Sequence, residues 1–263
     1  MSLNKLDSQR KLIEFKSNFL TMKEDEPKKI DIKSSELFEN QARNNMVIWL
    51  TFLCDTLNFN IQTLFRSIII FDKFISSSYL CKLEKNKNLT QEKLNLIAIA
   101  SLSLGTKLEE INCNYISFFT EKVLNSPNCK IFTEKDLTKM ELNILKELKF
   151  KTLYNTSYDF MSFYFDVFKY LFNPNSQFFY NLKNITENIM KQNIKSDLFL
   201  NYTQSEYAFL CLNEAFIQIG MNNIMNEISN ILIFNINNLI KKNIFSNINN
   251  EVNDNKYSFK NNV

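Results

Sequence analysis

The stretch LNLIAIASLSLGTKLEE, residues 94–110, decides the fold that this sequence predicts. Drawn as an α-helix, it is apolar on nearly every side, which is typical of a helix buried at the centre of a bundle. Its charges come only at its end, at Lys107, Glu109 and Glu110. We therefore predict a central core helix over 90–107 that ends in a charged turn.

Helical periodicity continues on both sides of this segment and predicts an all-α fold of two five-helix bundles. The first set of predicted helices covers 36–57, 60–77, 90–107, 111–124 and 133–149. The second set covers 156–172, 176–194, 203–219, 222–234 and 235–246. Thr133 with Asp136, and Thr203 with Glu206, have the spacing of helix N-terminal caps.

The same pattern predicts four segments along the chain. They are an N-terminal extension over 1–35 with one short amphipathic helix, a first domain over 36–152, a second over 153–246, and a disordered tail over 247–263. The tail is predicted to be disordered because it lacks apolar periodicity.

Composition excludes several kinds of chemistry. The 263 residues include no His, so His-dependent triads and His-based metal sites are ruled out. Two Gly cannot build a glycine-rich phosphate loop. A net charge of +3 gives no strong indication of nucleic-acid binding, and the apolar runs are too short to span a membrane. The five Cys lack a CxxC spacing and are interpreted as reduced thiols of a nuclear or cytoplasmic protein.

Two charges lie on apolar helix faces in the first predicted domain. Asp72 follows Ile68 by one turn, and Arg43 precedes the stripe that begins at Met46. A buried charge without a partner costs several kcal/mol, so each needs an opposite charge. We predict that Arg43 and Asp72 pair across adjacent helices; the alternative is that both reach water at helix ends.

Glu141 presents the same problem on the helix over 133–149. It lies within the apolar stripe formed by Leu137, Met140 and Ile144. Lys107 is the cation that ends the core helix. Taken alone, the residues 107–110 are explained by a solvated helix end; together with Glu141 they predict a functional pair.

Five segments now match a known family. RNNMVIWL, FDKFIS, LGTKLEE, FTEKDLTKMELNILKELKF and NTSYDFM, in this order, resemble the cyclin box, and DLFLNYTQSEYAFLCLNEAF resembles the second cyclin fold. The resemblance covers about 36–245. It implies a tandem cyclin fold and a regulatory subunit that binds and activates a cyclin-dependent protein kinase.

The resemblance also implies roles for individual residues. Arg43 and Asp72 correspond to the family's structural ion pair. Lys107 and Glu141 correspond to residues that hydrogen-bond the kinase backbone near its αC helix, and Leu108 and Glu110 are predicted as further kinase contacts.

The docking groove of cell-cycle cyclins matches less well. Its predicted positions here are Ala42, Met46, Trp49, Gln91 and Asn95. Asn45 stands where the family usually has an apolar groove residue. We therefore expect weak or absent binding of RxL docking peptides.

The sequence predicts no cofactor, no metal, no nucleic-acid partner and no membrane association, and it predicts a regulatory protein rather than an enzyme. Two alternatives remain beside the activating cyclin: a cyclin-fold scaffold that does not activate a kinase, and a cyclin of the transcriptional type. A general transcription factor of the same fold is disfavoured because the chain lacks a CxxC zinc ribbon.

Overall fold

The computed structural model describes residues 2–28, 40–77, 90–111 and 132–221, together with 123, 224, 227, 228 and 230. The four continuous ranges contain eight α-helices, one 3-10 helix and no strand. The α-helices are α1 (Ser2–Glu24), α2 (Asn40–Thr56), α3 (Ile61–Ile75), α4 (Gln91–Glu109), α5 (Glu134–Glu147), α6 (Ser157–Phe172), α7 (Ser176–Asn193) and α8 (Gln204–Gln218). The all-α prediction is confirmed.

Helices α2 to α8 begin and end within two residues of the predicted bounds wherever those bounds are described. The predicted N-terminal helix is present but is not short: α1 has 23 residues. The 3-10 helix Asp197–Asn201 was not predicted. The predicted helices over 111–124, 222–234 and 235–246 lie largely outside the described residues, and the predicted tail over 247–263 lies wholly outside them.

Contacts divide the chain into two compact units, the larger of which comprises residues 22–162 and 190–208. Its centre is α4, which is buried from Ile97 to Thr106 and packs against α3 and α5. At Gly105 a β-carbon would lie 2.1 Å from Ser67 Oγ on α3. A side chain at this position would displace the Ser67 hydroxyl and crowd the Thr63 carbonyl, 3.1 Å away, so glycine favours the close approach of these two helices.

The other unit comprises residues 1–21, 163–189 and 209–263. Aromatic side chains fill its described core: Phe168 lies 5.1 Å from Phe216 and Phe165 lies 5.3 Å from Phe179, ring centroid to centroid. Phe19 of α1 stacks on Phe163 at 6.0 Å. This packing explains the length of α1, because burial of its aromatic face stabilises a helix that its polar composition does not favour. The domain boundaries predicted from the sequence stay predictions.

Both predicted helix caps are confirmed. The backbone N–H of Asp136 donates to Thr133 Oγ1 at 3.3 Å, and the backbone N–H of Thr133 donates to Asp136 Oδ2 at 3.0 Å. Hydrogen bonds from Thr133 lower the pKa of the Asp136 carboxyl. At α8, the Thr203 N–H donates to Glu206 Oε2 at 2.8 Å. These caps satisfy N–H groups that would otherwise lack partners in the first helical turn.

Cys54 on α2 gives a prediction about thiol reactivity. It is 2% exposed, and burial, with a smaller effect from Asp55, raises the pKa of its thiol to about 12. Because the thiolate is the reactive form, iodoacetamide at pH 8 should leave Cys54 unmodified in the native protein and alkylate it in guanidinium chloride. Peptide mass spectrometry checks this. Equal labelling under both conditions would contradict the burial.

Candidate functional site

The end of α4 and the middle of α5 bring Lys107 and Glu141 together. Lys107 Nζ lies 2.7 Å from Oε1 and 2.7 Å from Oε2 of Glu141. The Ser103 hydroxyl donates to the same carboxylate. The Glu141 side chain is 9% exposed and that of Lys107 is 40% exposed. A buried carboxylate therefore holds an ammonium group at the surface.

Sequence placed Glu141 on an apolar face, and the structure explains how that face tolerates it. Leu137, Met140 and Ile144 are buried beside it on α5. The carboxylate is accommodated because its oxygens accept hydrogen bonds from a cation and a hydroxyl.

An exposed leucine follows each member of the pair in the sequence. Leu108 is 39% exposed and Leu142 is 43% exposed, each adjacent in sequence to one member of the ion pair. We call Lys107, Leu108, Glu141 and Leu142 the Lys107 surface. It combines a fixed charge with apolar area that solvent does not favour, as the centre of a protein interface does.

Further exposed apolar residues in the same unit were missed by the sequence reasoning: Ile111, Phe150 and Leu153. Phe150 follows α5 with φ of +60°, and its N–H donates to the Leu145 carbonyl at 2.7 Å. Positive φ is unfavourable for a bulky residue. The sequence signal for this turn is the absence of glycine after α5. A non-glycine residue must then adopt the left-handed backbone conformation that ends the helix.

Glu110, which is predicted as a kinase contact, is hydrogen-bonded to other residues of this chain. Its Oε1 accepts from the Asn60 backbone N–H at 2.7 Å and from Thr63 Oγ1 at 2.5 Å. Its Oε2 accepts from Asn60 Nδ2 at 2.8 Å. The carboxylate thus caps the N-terminus of α3, where the helix dipole favours an anion. A kinase contact by Glu110 stays a prediction.

Arg43 and Asp72 lie together in the core of the larger unit. Arg43 Nε donates to Oδ1 at 2.9 Å and Nη2 to Oδ2 at 2.8 Å. Nη1 donates to the Ile194 carbonyl at 3.3 Å, and the guanidinium lies 5.5 Å from the Phe199 ring centroid. Both charged side chains are at most 1% exposed. The two-bond geometry and the extra acceptor satisfy a guanidinium that could not otherwise be buried.

The predicted groove residues lie on α2 and at the start of α4, two helices that pack together. Met46 is buried, Ala42 and Trp49 are half-buried, and Gln91 is exposed. Gln91 Nε2 donates to Asn95 Oδ1 at 2.9 Å. Asn45 is exposed, so α2 presents an amide beside Trp49.

Within the described residues, no helix is long and apolar enough to cross a membrane. The same residues contain no cluster of three or more Cys, Asp or Glu arranged to hold a metal ion.

Comparison with known proteins decides the family. The model of the cyclin N-terminal domain matches residues 15–153, more than half of the chain. The chain belongs to the cyclin family. Cyclin-D1-1 of Arabidopsis thaliana is 30% identical over 168 residues, which are 64% of this chain and 45% of that protein. Cyclin-B2-1 of Arabidopsis thaliana is 26% identical over 133 residues, 50% of this chain and 28% of that protein.

This cyclin therefore spans less than half the length of these two relatives. Its fold is similar to the X-ray structure of a viral cyclin from herpesvirus saimiri, with a TM-score of 0.61 at 17% identity. That match covers 88% of this chain and 96% of the viral one. The cyclin fold predicted from the sequence is confirmed.

The residues predicted to line a docking groove give a prediction about peptide binding. An RxL peptide buries its Leu against an apolar wall, and the Asn45 amide would lose hydrogen bonds to water there. We expect the wild type to bind such a peptide with a Kd above about 100 μM, measured by fluorescence anisotropy. This corresponds to a binding free energy weaker than about −5.5 kcal/mol. Asn45→Leu should strengthen it. Micromolar binding by the wild type would show that the groove tolerates the amide.

Proposed function

We propose that this cyclin binds a cyclin-dependent Ser/Thr protein kinase and activates it by holding the kinase αC helix in its active position. Membership of the family and its relationship to cell-cycle cyclins support a regulatory rather than a catalytic role. The observation that carries the proposal is the Lys107–Glu141 pair, which is 2.7 Å long and whose members are each followed in sequence by an exposed leucine, Leu108 or Leu142.

The chemistry of kinase activation explains how a helical surface can act without catalytic groups. A protein kinase needs an ion pair between a strand lysine and a glutamate of αC, and this pair forms only when αC lies inward. A partner that binds the inward state more tightly shifts the population toward it.

The Lys107 surface has the properties that such a partner needs. A segment of kinase backbone that becomes buried must keep its N–H and C=O groups hydrogen-bonded. Lys107 offers an ammonium donor to a carbonyl, and Glu141 offers carboxylate oxygens to an N–H. Leu108 and Leu142 supply apolar area around them, within an interface of about 1,600 Å² or more.

The ion pair also prepares the surface for binding. The carboxylate of Glu141, held by Ser103, restricts the Lys107 side chain before a partner arrives. Fixing a long side chain in advance removes about 0.5–1.5 kcal/mol of ordering cost from the binding step. The pair therefore works as a preorganised donor and acceptor.

Titration of the purified chain into a purified, monomeric cyclin-dependent kinase tests the proposal by calorimetry. We expect saturable one-to-one binding at submicromolar concentration, about −8 kcal/mol or stronger. Addition of peptide substrate to the complex then separates an activating cyclin from a scaffold. Binding without phosphorylation would favour the scaffold, and absence of binding would overturn the proposal.

The proposed partner also sets the expected compartment. A cyclin with reduced thiols and a kinase partner is expected in the nucleus, the cytoplasm or both. Cys54 and Cys211 are buried and, within the part of the chain that the structure describes, form no disulfide, in keeping with a reducing environment.

A further inference from the structure

Arg66 on α3 is a buried cation with no role in the proposed function so far. Its side chain is 9% exposed, and its neighbours in sequence, Phe65 and Ser67, are buried as well. A buried guanidinium remains only where its N–H groups are satisfied. Its partners therefore indicate what it holds in place.

Three acceptors from three parts of the larger unit surround Arg66. Nε donates to Glu109 Oε1 at 2.6 Å, Nη1 donates to the Tyr154 carbonyl, and Nη2 lies 3.5 Å from Asp159 Oδ2. Asp159 itself caps the start of α6 through Thr156, whose N–H donates to Oδ2 at 2.8 Å. The short contact to Glu109 is the one that reaches the candidate site.

Glu109 is the last residue of α4 and stands two residues after Lys107. The next residue, Glu110, is held by Asn60 and Thr63 at the N-terminus of α3. The final turn of α4 is thus fastened to α3 on both sides: by Arg66 at Glu109 and by the α3 cap at Glu110. Without these contacts a helix end would fray, because its last carbonyls lack partners.

We propose that Arg66 is a positioning residue: by binding Glu109 it holds the last turn of α4 so that Lys107 and Leu108 meet the kinase in one orientation. This inference rests on the proposed function. In this interpretation Glu109 and Glu110 hold the end of α4 in place. Lys107 provides the charge that contacts the kinase.

Amide hydrogen exchange tests the fastening itself. The Glu110 N–H donates to the Thr106 carbonyl at 3.0 Å and closes the last turn of α4. In Arg66→Gln we expect its exchange to accelerate about tenfold or more, while amides at Ala98 and Ile99 change little, since local fraying exposes only the end. Uniform acceleration along α4, or none at Glu110, would overturn the inference.

Kinase affinity tests the positioning, at a temperature where every variant is folded. We expect Arg66→Gln to weaken binding by about tenfold to a hundredfold, a range typical of misplaced contact groups. Arg66→Lys should recover only part of the loss, because an ammonium lacks the planar fork that reaches several acceptors. Asp72→Asn, also a buried-charge change in this unit, should bind as the wild type does.

A double-mutant cycle shows whether Arg66 acts through the Lys107 surface. In a chain that already carries Lys107→Ala and Glu141→Ala, Arg66→Gln should change affinity by no more than about twofold to threefold. An undiminished loss in that background would mean that Arg66 acts elsewhere and would overturn the inference.

The outcomes separate this inference from the proposed function. If the wild-type chain does not bind the kinase, the proposed function fails and the positioning role fails with it. A second outcome is that the wild type binds, that the Lys107 and Glu141 substitutions weaken binding, and that Arg66→Gln does not. In that case only the positioning role fails.

Discussion

Replacing Lys107 and Glu141 together by alanine should weaken binding to a cyclin-dependent kinase by about two to four orders of magnitude. Each desolvated charged hydrogen bond contributes roughly 1.5–3 kcal/mol, and about 1.4 kcal/mol corresponds to a tenfold change in affinity. Calorimetry or surface plasmon resonance measures the difference.

The double substitution is preferable to either single one. Lys107→Ala alone would leave the Glu141 carboxylate, with a side chain 9% exposed, without its cation. A stranded buried charge destabilises the fold, and the loss of binding would then have two causes. Removal of both groups leaves no uncompensated charge, so we expect the variant to fold.

Two controls match this experiment. Lys191 on α7 and Asp55 on α2 form an ion pair of the same 2.7 Å length in the same unit, on helices other than α4 and α5. Alanine at both should leave kinase affinity unchanged, as should Lys93→Ala at the start of α4. If the Lys107 and Glu141 variant activates its kinase at wild-type concentrations, the Lys107 surface is not the binding site.

Asp72→Asn should lower the free energy of unfolding by about 3–5 kcal/mol. Asparagine can still accept a hydrogen bond from Arg43, but it leaves the guanidinium, 1% exposed, with an uncompensated charge. A chain of this size loses about 2–4 °C of melting temperature per kcal/mol, so thermal unfolding should shift by about 6–20 °C.

Asp55→Asn is the matched control for this change. It makes the same chemical substitution in an ion pair whose aspartate side chain is 55% exposed. Exposed pairs contribute about 0–1 kcal/mol, so its unfolding should be close to that of the wild type. Equal effects of Asp72→Asn and Asp55→Asn would contradict the energetic account of the buried pair.

These two predictions rest on pairs whose partners could be foreseen from the sequence. Helical periodicity placed Asp72 and Glu141 on apolar faces, and burial of a lone carboxylate is so unfavourable that a nearby cation had to exist. Arg43 precedes the apolar stripe of the helix before Asp72, and Lys107 ends the core helix before Glu141. A strong energetic requirement and a cation on a neighbouring predicted helix made these contacts predictable.

The fastening of the α4 end could not be foreseen in the same way. Lys107, Glu109 and Glu110 look like a solvated helix end, because periodicity does not say whether a charge at a helix terminus meets water or another helix. Two carboxylates near Arg66 belong to Glu109 and Asp159, which follow it in the sequence by 43 and 93 positions. Such contacts depend on tertiary packing, which local patterns do not contain.

The length of α1 escaped prediction for a related reason. Its sequence is polar, and a helix of such composition is marginal alone. Phe15 and Phe19 stabilise it through edge and stacked contacts with Phe163, which lies on α6. The sequence indicated the apolar face of α1 but not the surface that covers it.

The most direct test of the central claim is the rate at which a purified, monomeric cyclin-dependent kinase phosphorylates a peptide with and without this chain at saturation. If the inward αC state is populated at about 0.1–10% in the free kinase, stabilising it should raise kcat/KM roughly 10- to 1,000-fold. The chain carrying Lys107→Ala and Glu141→Ala should produce no increase at the same concentration. A complex that forms but phosphorylates no faster than the free kinase would contradict the account.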